Sequence, residues 1–220
     1  MAFDTVQSGW QAGTWDLLVR LASADGSARH PHVVRLLRAE APTRDLADAV
    51  HAICAVHGHH PGLADAAATH AAQPAAGDWL DAVAVAFIAE RAWLVRLAAA
   101  AGPLPSTPGQ AESESALIGE RHALEMLARS ERQGCATGAA AALVLEWRAI
   151  RAVLDRAATR FGVAIPRCGL PLDAETGTSL AMLGATAAIE RAITFGAQQL
   201  FAQHRGLWSL LEARSSARAD

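Results

Sequence analysis

Four times in the last two thirds of this chain, a glutamate stands in the middle of an apolar stripe with helical spacing. Ile88-Ala89-Glu90-Arg91-Ala92 is followed by Ile118-Gly119-Glu120-Arg121-His122, and Ala188-Ile189-Glu190-Arg191-Ala192 closes the series. A looser version, Val144-Leu145-Glu146-Trp147-Arg148, lies between them. Side chains three or four residues apart share a helix face. Glu90 therefore lies with Val83, Phe87, Leu94 and Leu97, and Glu120 with Leu117, Leu124 and Leu127. Glu146 falls among Ala142, Leu143, Ile150 and Val153, and Glu190 among Leu183, Ala187, Ile193 and Ala197. A chain built this way must pack helices against one another and must also find partners for inward carboxylates.

The helices are well punctuated. Asp78 is a natural cap for a helix to Ala101, which Gly102-Pro103 stops; Thr107-Pro108-Gly109-Gln110 opens a second, ending near Gln133. Thr137 opens a third that runs to Phe161, and Thr178 or Ser179 starts a last one reaching Ala213, with Gly206 as a weak point. Runs with the period of a strand are nearly absent. The spacing predicts an all-α fold: an antiparallel four-helix bundle, up-down-up-down, over residues 78–213. Residues 1–77 read as short helices covering one end or side of it, and 214–220 as a frayed tail.

Composition limits the partners. Hydrophobic residues make up 52% and charged residues 19%, which suits a folded core rather than a disordered chain. All 19 basic residues are Arg, the net charge is −3, and no basic patch stands out, which argues against nucleic acid as the main partner. The most apolar window, Val83 to Ala101, contains Glu90, Arg91 and Arg96 and is too polar for a membrane span. Cys54, Cys135 and Cys168 lack any CxxC spacing, so neither a disulfide framework nor a thiolate zinc site is expected. The first residues show no signal-peptide pattern, and the expected location is the cytoplasm.

Three arrangements can offset the cost of burying the carboxylates, which is several kcal/mol for an isolated charge. Divalent cations can bind them. Arg91, Arg121 and Arg191, each next after a Glu, can pair with a carboxylate on a neighbouring helix, and Arg148 or Arg151 can do likewise. Alternatively, some of the Glu face the covering helices or a homodimer interface and form no cluster. In placing Glu90, Glu120, Glu146 and Glu190 on four helices, the stretch from Asp78 to Arg205 resembles the ferritin-like superfamily, whose di-iron members carry a carboxylate on each bundle helix. That resemblance implies an iron or manganese site formed by these four residues, with oxygen chemistry to match. The superfamily's Glu-x-x-His motif is missing, since Ala123 follows Glu120 and Ile193 follows Glu190 at that spacing. The alternative is a non-enzymatic bundle with an internal Glu/Arg network. His57-Gly58-His59-His60, at a helix end, is a further candidate for a transition metal or haem.

Overall fold

The computed structural model describes residues 13–70, 74–183 and 186–218. Among them are nine α-helices and no strand: α1 (Thr14–Asp25), α2 (Pro31–Leu36), α3 (Thr43–His57), α4 (Leu63–Thr69), α5 (Gly77–Ala101), α6 (Gln110–Ala128), α7 (Cys135–Phe161), α8 (Asp173–Leu183) and α9 (Ala187–Ala217). Single 3-10 turns, Ser27–Arg29 and Pro74–Ala76, precede α2 and α5. No helix among the described residues is long and apolar enough to cross a membrane.

The all-α expectation holds, and two parts of the arrangement differ from the sequence reading. The last helix is two. Thr186 caps α9, its hydroxyl accepting from the Ile189 N–H at 3.3 Å, and the helix then passes through Gly206 without a break. α9 also runs parallel to α7, not antiparallel: Gly134 lies against Ile189, Gly138 against Ile193, and Glu146 against His204, so residue numbers rise together. The return path is the segment containing α8, between the end of α7 and the start of α9. α5 is parallel to α7 as well, with Phe87 on Trp147 at 4.8 Å and the Arg151 guanidinium 4.0 Å above Trp93.

The second difference is α3, which is no cover. It packs against α5, α6, α7 and α9. It runs opposite to α9, pairing Asp48 with Arg214 at one end and His57 with His204 at the other. Leu46, Ala49, Val50, Ala52, Ile53 and Val56 are all buried. A helix buried on nearly every side, Asp45, Asp48 and His57 included, belongs inside a bundle, so the N-terminal third supplies the centre of the core.

The tail is not frayed up to Arg218. Arg214 forks onto Asp48 at 2.9 Å, Arg218 bonds Asp45, Asp48 and Thr107, and Ser215 donates to Asp45 at 2.8 Å. All of these are buried or half-buried. They tie the end of α9 to the start of α3 and to the loop before α6.

Candidate functional site

Two of the four glutamates anchor separate polar networks on α7. Glu90, 1% exposed, comes from α5 and accepts from Arg151 Nη1 at 2.5 and 2.7 Å. It also accepts from the Trp147 indole N–H at 2.9 Å. Arg151 is held on its other edges by Asp155 at 2.7 Å and by the Pro166 carbonyl, and its plane lies on Trp93. The guanidinium is thus fully engaged, which offsets much of the desolvation of the pair. Outside it, a surface cavity of about 340 Å³ is lined by Trp147, Arg148, Arg151, Asp155, Cys168 and Leu170.

Glu146, five residues before Arg151 on α7, faces the other way. Its carboxylate accepts from the Ser27 N–H at 3.0 and 3.1 Å and from the Ser27 hydroxyl. Ser27 is itself held by the Trp208 indole at 2.7 Å. Gly26 is required here, because a Cβ on it would sit 2.7 Å from Glu146 Oε1. His204 Nδ1 lies 3.2 Å from Glu146 Oε2, and His204 Nε2 lies 3.1 Å from His57 Nε2. Burial raises the Glu146 pKa, but the bond and charge of His204 and the bonds from Ser27 outweigh it and hold the carboxyl below its ordinary value. Burial, then the charge of His204, depresses the His57 pKa well below the ordinary imidazole value. His57 Nε2 and His204 Nε2 share a hydrogen bond whose proton comes from whichever ring carries it there. The result is a Glu146–His204–His57 chain through the core. His57 ends it at a cavity of about 20 Å³, room for about one water, also lined by Phe87, Arg91, Arg121 and Leu124.

The other two glutamates join neither network. Glu120 is buried, with Oε1 unpartnered among the described residues, and burial pushes its pKa up to about 8. Glu190 is exposed in the first turn of α9, where the helix dipole favours it. The break that creates this helix start is the reason the periodic reading placed it inward. The expected convergence of Glu90, Glu120, Glu146 and Glu190 on one volume is therefore corrected: no group of three or more His, Cys, Asp or Glu among the described residues is arranged to hold a metal ion. Glu190→Ala is expected to change stability by no more than about 0.5 kcal/mol in a denaturant titration.

The arginines are also redistributed. Arg91 pairs with Asp65 on α4 at 2.7 Å, Arg121 reaches His59 at 2.8 Å, Arg148 forks onto Asp173 at 2.6 and 2.7 Å, and Arg191 is exposed. None of the four is the partner of an inward Glu; that role falls to Arg151. The histidines after α3 diverge as well, with His57 facing the core, His59 on Arg121, and His60 3.5 Å from Asp65. The sequence reading passed over Ser27 and His204. Only His204 left a signal, since it continues the α9 stripe of Leu200, Phe201, Leu207 and Leu211.

A model of a family described as of unknown function, DUF6975, matches residues 22–219. The chain belongs to the DUF6975 family. No curated protein and no solved structure matches it. The match spans both networks of this DUF6975 chain, from Ser27 to Trp208, and says nothing for or against the ferritin-like resemblance.

The titrating groups give this DUF6975 protein a pH signature. His32, buried and beside Arg35, has its pKa lowered to about 4 by burial first and then by that arginine. Stability contributed by His32 and His57 is present above the unfolded imidazole value of about 6.5 and is lost as pH falls through it. Glu120 has the opposite sign. The folded state holds its proton up to about pH 8, so stability is lost as pH rises from the unfolded carboxyl range through that value. Between pH 6.5 and 9 Glu120 dominates among these three. Wild type is expected to lose a few kcal/mol across that interval, and Glu120→Gln to flatten the curve in urea titrations at successive pH values.

Proposed function

We propose that this protein is a non-enzymatic helical scaffold whose interior charges are architecture. The observation that carries the reading is the pairing of its buried charges. Asp45, Asp48, Glu90, Arg91, Glu146, Arg151 and Arg214 each have protein partners at hydrogen-bond distance, and among the described residues Glu120 is the one buried carboxylate without them. A carboxylate saturated by arginine, indole or backbone donors has few lone pairs left for a ligand. The test is elemental analysis of tag-free protein, with melting curves before and after added iron or manganese. Metal-free protein whose melting temperature is unmoved by either ion supports the scaffold. Near two equivalents of bound metal, lost in Glu90→Ala, would restore the ferritin-like alternative.

A second reading is favoured by the Glu146–His204–His57 chain, which ends at a cavity. A proton arriving at His57 Nδ1 can be passed on, because His57 Nε2–H can move to His204 Nε2. The imidazolium then forms against the Glu146 carboxylate rather than on the desolvated His57. Such a chain would serve proton exchange with a small molecule at the cavity. Nitrogen-15 NMR tests it: His204 protonated at Nδ1, with both rings shifting together on titration, supports the relay. Independent titration of His57 sinks it.

A further inference from the structure

The outer face of α5 is covered by nothing among the described residues, although it is patterned as a seam. Val85, Ile88, Ala92, Val95 and Ala99 alternate at three and four residues, the spacing of the a and d positions of a helix pair. Val85 is 66% exposed, Ile88 58% and Val95 53%, and Ala89, Ala92 and Ala99 are exposed between them. Three large β-branched side chains in line on one helix are not the scattered apolar residues of an ordinary surface. Three exposed charges lie on the same face, Asp78 and Asp81 toward its N-terminal end and Arg96 toward its C-terminal end.

We propose that α5 is the interface of a homodimer, two copies pairing antiparallel about a two-fold axis between Ile88 and Ala89. The inference is independent of the scaffold reading. The charges choose both the occupant and its direction. In an antiparallel pair with that axis, Asp81 of each copy meets Arg96 of the other, whereas a parallel pair sets like charge against like. Val85 then faces Ala92, and Ile88 faces Ala89, so a large side chain meets a small one at each level. Alanines beside the axis let the helices approach to about 8 Å. The antiparallel helix dipoles add to the preference. α5 is about 37 Å long. A contact strip about 10 Å wide along it buries on the order of 750 Å² from both copies together, below the usual size of a stable dimer. Exposed Ile165 and Leu172 belong to the segment that flanks α5, where Gly169 approaches Ala86, and they can widen the contact. The dimer is expected to be reversible and concentration-dependent.

Sedimentation velocity from about 1 to about 200 μM is the test. Wild type should shift from monomer to dimer across that range. Ile88→Glu should stay monomeric throughout while its melting temperature at low concentration matches wild type. Asp81→Arg and Arg96→Asp should each weaken the dimer about tenfold, and the two together should restore it to within about threefold of wild type. In a Cys168→Ser background, Ile88→Cys should cross-link to its own copy under mild oxidation. Asp81→Cys should not, because its two copies would be about 22 Å apart. A monomer at every concentration, or a dimer that survives Ile88→Glu, overturns the proposal. Failure of the charge swap to restore pairing overturns the antiparallel register.

Discussion

Gly138→Ala should lower the melting temperature by about 10 °C, a loss of at least about 3 kcal/mol for a chain of this size. The reason is geometric. A Cβ on Gly138 would lie 2.0 Å from the Ile193 carbonyl oxygen and 2.6 Å from its carbon, and one on Gly196 would lie 2.0 Å from the Cys135 oxygen. Both obstacles are backbone, so no side-chain rotation relieves them, and α7 and α9 must move apart. Moving them apart also pulls His204 away from Glu146. Gly119→Ala and Gly206→Ala serve as controls. Both positions lie inside helices with nothing within 4 Å of the new Cβ, so each should stabilise by about 0.5–1 kcal/mol through helix propensity. Thermal circular dichroism of the three variants decides it. A Gly138→Ala protein that melts like wild type would mean the parallel helices are not in backbone contact.

The second large effect should come from Glu90→Ala, with an expected loss of about 3–5 kcal/mol. Removing the carboxylate leaves the buried Arg151 Nη1 and the Trp147 N–H without an acceptor, and an orphaned buried charge is costlier than the absence of the pair. Arg151→Met should be comparably damaging, since it frees Glu90 and also gives up the contacts with Pro166 and Trp93. Glu90→Met with Arg151→Met should cost clearly less than the two single losses added together. Urea titrations of the four proteins close the cycle. Simple additivity would mean that the two side chains do not interact in solution.

How far the sequence disclosed these features depended on whether they were local. Glu90 and Glu146 lie inward because the periodicity of their own helices puts them there, and neighbours in the chain are enough to see that. Their partners are distant in sequence: Arg151 is 61 residues from Glu90, and Ser27 is 119 from Glu146. No local pattern encodes such pairings. Glu190 misled for a local reason, as the stripe through Leu183 and Ile193 continues in register across the helix break. The direction of α9 was missed because the weight given to the short turn at Gly134 fixed α6 against α7 but carried no information on the longer return through α8. The central place of α3 was not legible, since Asp45, Asp48 and His57 read as a polar face and are buried only through partners distant in sequence.

That place for α3 has a consequence for how the protein comes into being. The helix at the centre of the core is synthesised well before α9, and the charged groups that clamp its first turns, Arg214 and Arg218, follow only with the end of α9. α5 and α6, which α3 also packs against, are made before α7 and α9, but the polar contacts that hold its first turns span well over a hundred residues. Closing this end of the core must therefore wait for α9 rather than follow directly on the synthesis of α3.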